Sequence, residues 1–375
     1  MTINPQNAVM ASMRLYEAET SIDDIAQRHG LDVADVIDFS LNVNPFGPPA
    51  GAVEAARATL DESHLYPDLR FAALRSALAE RHGVSPESLF FGAGLDDVIK
   101  LIIHAWTSVG DTVLLHLPTF PRYELEASLR GCKVVCVEGE APEKTDLAGM
   151  HAALRGGEVA MTFVCSPNNP TGEKIPQEAV AALARDAGQG LVIVDEALLD
   201  PAQEGAVPLL ARHPNLVVLR TFSKYFGLAG FRVGYAIAQP GLVRAAEVGR
   251  PPFNLARASV AAARAVLDDT TFLDRCRATF AEERAWFAQA VADIAGVRIR
   301  GSNANMILLD VDMAPGEAAQ RLAAQGIVVA DASSFRGMER HRALRVSLRG
   351  RADNNKLLAA IRGIFNERRE DRGKA

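Results

Sequence analysis

Lys224 lies in the stretch Thr221-Phe222-Ser223-Lys224-Tyr225-Phe226-Gly227-Leu228-Ala229-Gly230-Phe231-Arg232, with hydroxyls just ahead of it and an arginine at the end. A neutral lysine amine condenses with an aldehyde to an imine, and burial or nearby positive charge lowers its pKa far enough to leave it neutral. Thr221, Ser223 and Arg232, whose planar fork suits a phosphate dianion, would hold a phosphorylated ligand on the same short loop. A lysine beside a serine is, taken alone, an ordinary surface feature. This one follows an apolar run, residues 217–219, that reads as a buried strand.

Three further pieces could do chemistry beside it. Leu191-Val192-Ile193-Val194-Asp195-Glu196-Ala197 is a strand ending in a carboxylate, which can pair with a protonated ring nitrogen or, more blandly, cap a helix. Ser166-Pro167-Asn168-Asn169-Pro170-Thr171-Gly172 is a turn whose prolines set the backbone and leave the Asn169 amide to bond a phenolic oxygen. Phe90-Phe91-Gly92-Ala93-Gly94-Leu95-Asp96-Asp97 reads as strand, bend and helix start, where backbone N–H groups suit a phosphate. Its spacing is not GxGxxG and no acidic ribose partner follows, which argues against a dinucleotide site.

The elements that position these pieces alternate. Helix is expected over 69–82, 96–106 and 122–130, and strand over 89–92, 112–116, 133–137, 159–165, 191–194, 217–219 and 233–238. That pattern predicts an α/β fold with a mainly parallel central sheet, its functional groups just past the strand ends. A strand at 36–39 leads into the turn Asn42-Val43-Asn44-Pro45-Phe46-Gly47-Pro48-Pro49. Pro251-Pro252 marks a break, followed by a long helical stretch over 256–294 and short strands at 306–311, 327–329 and 344–348. We expect an N-terminal arm with part of a small domain at 1–43, a large ligand-binding domain at 44–255 and a smaller α+β domain at 256–375. The charged tail from Glu367 is expected to be a frayed end.

Composition sets the limits. Apolar residues make up 49% and charged residues 23% of the 375, and the formal charge is -6, so nothing gives a basic footprint for nucleic acid. Cys132, Cys136, Cys165 and Cys276 show no CxxC spacing, so reduced thiols and no metal are expected. The chain opens without a basic segment leading to an apolar run, and no segment approaches the roughly 20 apolar residues of a membrane span. We therefore expect a cytoplasmic protein with small-molecule partners and no membrane contact.

Taken in order, the pieces resemble the fold type I transferases that use pyridoxal 5′-phosphate, the class I and II aminotransferases. The likeness runs over roughly residues 37–358 and is strongest to the branch holding histidinol-phosphate aminotransferase and threonine-phosphate decarboxylase. It implies Lys224 as the Schiff-base lysine, Asp195 as the partner of the ring nitrogen and Asn169 at the ring hydroxyl. Thr221, Ser223 and Arg232, with Gly94, Leu95 and Asp96, match the phosphate cup, and Phe120 in Pro118-Thr119-Phe120 matches the aromatic over the ring. Arg345 and Asn44 are implied at the substrate, although Arg345 alone would read as an edge-strand charge. Tyr66 matches a tyrosine that reaches the neighbouring subunit's phosphate, implying a homodimer. The activity implied is transamination of an amino acid or amino-alcohol phosphate; the alternative is decarboxylation of an O-phosphothreonine type of substrate, in the cobalamin pathway.

Two departures bear on that choice. Leu198 stands where transaminases often carry a tyrosine, and Asp38-Phe39-Ser40 and Arg345 with Arg349 also lean towards the decarboxylase. Against it, Tyr16-Glu17-Ala18-Glu19-Thr20-Ser21 replaces that enzyme's His-Gly-Gly-Asn-like piece. Val328-Val329-Ala330-Asp331-Ala332 lacks an arginine that both phosphate-substrate enzymes place there, leaving Arg336 as a substitute to be located. Residues 222–232 and Pro252-Phe253-Asn254-Leu255 look more like the transaminase. A non-catalytic relative fused to a DNA-binding regulator would need a basic segment ahead of Asn44, where this chain is short and acidic.

Overall fold

The computed structural model describes residues 21–374, with side chains through 366. Most of the expected piece from Tyr16 lies outside that range. Helix α1 (Ile22–His29) leads to strand β1 (Ile37–Asp38), and α2 (Ala50–Arg57) and α3 (Ala72–His82) precede the main sheet. That sheet takes β2 (Leu89–Gly92), β3 (Thr112–Leu117), β4 (Lys133–Glu138), β5 (Met161–Cys165), β6 (Leu191–Asp195), β7 (Leu216–Thr221) and β8 (Gly234–Ile237) in the order β2-β8-β7-β6-β5-β3-β4. β8 runs antiparallel to β2 and β7, and the other pairings are parallel.

The sequence explains this arrangement. β5, β6 and β7 are almost wholly buried, the continuous apolar pattern of strands covered on both faces. The helices α4 (Leu95–Trp106), α5 (Arg122–Arg130), α6 (Leu147–Gly156) and α7 (Gln177–Asp186) alternate with strands β2 to β6, and α8 (Pro240–Gly249) follows β8. Two hydrophobic cores result, one holding Leu114, Val164, Val192 and Val218 and the other Leu115, Phe163, Ile193 and Leu219. Alternate residues of the same strands supply them, as the pleat requires.

The long helical stretch past Pro252 is two helices, α9 (Arg257–Val266) and α10 (Thr270–Ala290). Phe272, Cys276 and Phe280 still belong to the first core, and a third core begins at Phe287, so the division between cores falls inside α10. The C-terminal part is an antiparallel sheet of β9 (Val297–Arg300), β10 (Met306–Val311), β12 (Ala330–Asp331) and β13 (Ala343–Ser347), ordered β12-β13-β10-β9. It is accompanied by α11 (Pro315–Ala323) and α12 (Arg351–Lys374), which stays helical past Glu367 where a frayed end was expected. β1 pairs in parallel with β11 (Ile327–Val328), fastening the N-terminal arm to this region. Among the described residues no helix is long and apolar enough to cross a membrane, and no cluster of three or more His, Cys, Asp or Glu could hold a metal.

Candidate active site

A cavity of about 540 Å³ opens past the ends of β5, β6 and β7, between the main sheet and the C-terminal region. Leu95, Asp96, Phe120, Asn169, Asp195, Thr221, Ser223, Lys224, Arg232 and Arg345 all line it. The chain brings these together because parallel strands deliver their following loops to one edge of the sheet.

Asp195 ends β6 with 3% exposure. Its Oδ2 accepts from Tyr123 Oη at 2.7 Å and its Oδ1 from the Ala197 N–H at 2.9 Å. Burial pushes its carboxyl above the usual range, opposed by those two bonds and by the charge of Lys224. A desolvated carboxylate held by a phenol and a backbone N–H, facing a cavity, suits a cationic ring nitrogen.

At the other end lies a phosphate-sized set. Thr221 Oγ1 donates to Ser223 Oγ and accepts from the Ser223 N–H, both at 3.1 Å, which turns the backbone into the Lys224 loop. Arg232 adopts a left-handed backbone at φ 53°, and its Nη2 lies 3.6 Å from Asp96 Oδ2. Gly94, at φ 84°, caps α4 without a side chain, and a Cβ there would collide with the Arg232 guanidinium. The first N–H groups of α4 have no intrahelical acceptors. Arginine, hydroxyls and helix start converge as an anion site needs.

Arg345 is not the surface charge its strand would suggest. It is 2% exposed on β13, between β12 and β10, and donates from Nη1 to Asn169 Oδ1 at 2.8 Å and from Nη2 to the Ser40 carbonyl at 2.6 Å. Its buried Nε has no partner, a donor suited to an anion entering the cavity.

Two expected residues lie elsewhere. Asn44 does not reach the cavity: its Nδ2 donates to the Tyr225 carbonyl at 2.8 Å and to Cys276 Sγ at 3.1 Å, while its Oδ1 accepts from the Phe46 N–H. It ties the entry turn to the Lys224 loop, where a Cβ on Gly227 would strike the Gly47 carbonyl, and Asn42 and Val43 line the cavity instead. Tyr66 is 75% exposed and stacks on Phe253 with ring centroids 4.3 Å apart, outside the cavity. The substitute for the absent arginine, Arg336, pairs with Glu124, and Arg349 pairs with Asp353 at 2.8 Å. Leu198 is buried and lines the cavity. Sequence reasoning missed Tyr123, whose one signal was its place a helical turn after Phe120; nothing local links it to Asp195.

A doubly wound sheet with lysine, carboxylate and anion cup at the ends of adjacent strands is the architecture of a cofactor-dependent transferase. The chain belongs to the class I and II aminotransferase family, whose profile, described as "Aminotransferase class I and II", matches residues 34–361. It is 37% identical to histidinol-phosphate aminotransferase of Methanoculleus marisnigri over 93% of this chain and 96% of that one. The Brevibacillus brevis histidinol-phosphate aminotransferase is 35% identical over 93% and 95%. Among solved structures, histidinol-phosphate aminotransferase from Sinorhizobium meliloti in complex with pyridoxal-5′-phosphate superposes with a TM-score of 0.85 at 26% identity, covering 97% of this chain and 98% of that one.

Proposed function

We propose that this chain is a pyridoxal-phosphate-dependent aminotransferase acting on histidinol phosphate or a closely similar amino compound. The observation that carries this is the joint placement of Lys224, Asp195, Thr221, Ser223 and Arg232 around one cavity. Bound pyridoxal phosphate supplies an aldehyde carbon and an electron-withdrawing ring. Arg232, Thr221, Ser223 and the start of α4 hold its phosphate, and Asp195 holds a proton on its ring nitrogen. Asn169, its Oδ1 engaged by Arg345, offers its NH₂ group to the ring oxygen, and Phe120 lies against the ring. Lys224 would bond the aldehyde carbon of the bound cofactor, and as a neutral amine it would move the proton at the substrate carbon that bears nitrogen. Arg345 anchors the substrate's anionic group. Leu198 is the residue that favours decarboxylation; the similarity to histidinol-phosphate aminotransferases favours transamination.

We further read the protein as a cytoplasmic homodimer in which Tyr66 reaches the neighbouring subunit's cofactor phosphate. Its exposure, together with that of Leu60, Leu65 and Leu69, supports this reading.

Borohydride reduction of the loaded protein followed by peptide mapping should leave a pyridoxyl group on Lys224. Histidinol phosphate should yield a keto product with a 2-oxo acid acceptor, and O-phosphothreonine should release no carbon dioxide. Lys224→Ala should cut turnover by roughly three orders of magnitude or more, as loss of a nucleophile and base together. Label on another lysine, or carbon dioxide as the sole product, would overturn the reading.

A further inference from the structure

Tyr123 has no part in the roles above, yet its hydroxyl is bound directly to Asp195. It lies in the first turn of α5, is fully buried, and donates to Asp195 Oδ2 at 2.7 Å. Its ring stacks on Phe163 of β5, with centroids 4.6 Å apart and planes 12° from parallel. The same ring meets Phe120 edge-on at 5.6 Å and 78°. A buried phenol needs one polar partner, and this packing points its hydroxyl at a carboxylate rather than a carbonyl. With the Ala197 N–H on Oδ1, the two bonds fix the plane of Asp195.

Resting on the cofactor reading, we propose that Tyr123 is a positioning residue: its hydroxyl orients Asp195 and keeps it ionised for pairing with a protonated ring nitrogen. Asp195 is faced by Tyr123 from α5, Cys165 from β5, Asp96 from α4 and Lys224 from the loop after β7, with Glu196 beside it in the chain. Burial raises its pKa; among the opposing influences the Tyr123 bond is the largest, ahead of the Ala197 N–H and Lys224, while Asp96 works against them. Tyr123 itself is held neutral, because burial and the Asp195 charge push its hydroxyl well above the usual phenol range. It therefore stays a donor across the working pH range. The same ring supports Phe120, so one side chain sets both the nitrogen's partner and the aromatic contact.

The test is binding to the cofactor-free protein of pyridoxal phosphate and of its 1-deaza analogue, in which carbon replaces the ring nitrogen. Wild-type protein should prefer pyridoxal phosphate. Tyr123→Phe, which keeps the ring and its stacking, should reduce that preference about tenfold or more, the worth of a hydrogen bond to a charged group. Affinity for the analogue should hold within about twofold. In an Asp195→Asn background the same substitution should change nothing further, and in the otherwise native enzyme kcat should fall with KM unchanged. An unchanged preference, or equal loss of both ligands, would reduce Tyr123 to packing and overturn the proposal. Should Tyr123→Phe fail to fold, 3-fluorotyrosine at 123 keeps the shape with an altered donor; a shifted preference supports the proposal and an unshifted one overturns it. Wild-type protein that binds neither compound would remove the cofactor reading, and this proposal with it.

Discussion

Asp195 and Glu196 are adjacent, acidic and buried, and their charges meet different partners. Glu196 Oε2 accepts from Arg220 Nε at 2.8 Å, and its Oε1 accepts from the Ala206 N–H at 2.6 Å. Arg220 also reaches the Gln203 and Glu204 carbonyls, so that pair is closed. Burial raises both carboxyls, but only Asp195 faces the cavity. Breaking a closed buried pair strands a charge, so Glu196→Gln should destabilise the fold by about 3–5 kcal/mol, read as a lower urea midpoint with the substrate KM of the remaining folded enzyme unchanged. An unaltered midpoint would mean Arg220 is satisfied by its carbonyls alone. The sequence placed a carboxylate at a strand end; which of two neighbours points to the ligand follows from strand alternation once the sheet's faces are known.

At the scale of elements, the anion cup depends on how α4 begins. Gly94 combines φ 84° with ψ 173°, a region open essentially to glycine. Gly94→Ala should therefore both strain that turn and displace Arg232. Affinity for pyridoxal phosphate should fall about tenfold or more, matching the loss of a charged hydrogen bond, while secondary structure by circular dichroism is kept. Equal affinity would show that the guanidinium can move without loss. The strand β3 carries a second element-scale effect. His116 is fully buried there, and burial takes its pKa from the ordinary 6.5 to about 4. On unfolding it takes up a proton between those values, so its contribution is intact above pH 6.5 and is lost as pH falls towards 4. His82, brought to about 3 chiefly by burial, acts in the same sense. The unfolding free energy from urea titrations between pH 7 and 4.5 should fall less steeply in His116→Phe, by up to about 1.4 kcal/mol per pH unit. Parallel slopes in variant and wild type would contradict this.

For the whole molecule, the segment around Tyr66 departs from the rule that large apolar side chains are covered. Leu60, Leu65 and Leu69 are about half exposed, close enough in sequence to form one patch of the kind that marks an interface. In the proposed homodimer this patch meets its copy and delivers Tyr66. Leu65→Asp should then halve the mass measured by light scattering and weaken cofactor binding, because the neighbour's tyrosine is lost. A wild-type protein that elutes as a monomer with tight cofactor binding would end the dimer reading.

Much of this was legible in the sequence. Strand–helix alternation, the apolar runs of β5 to β7 and the residue types of the Lys224 loop follow from local pattern, because period and burial are written into neighbouring positions. The contacts of Tyr123, Asn42 and Asn44 were not, and Arg345 was marked only by the family resemblance, not by its local pattern. Tyr123 is 72 positions from Asp195, and Arg345 is 176 from Asn169; no local periodicity connects residues that far apart. Asn44 and Asn42 are chemically the same and two positions apart, yet folding bonds Asn44 to the Tyr225 carbonyl and Asn42 to Ser347 and Met306, and only Asn42 also lines the cavity. Side-chain identity is a property of the chain, whereas the partner a polar group meets is decided by the folding that removes it from water.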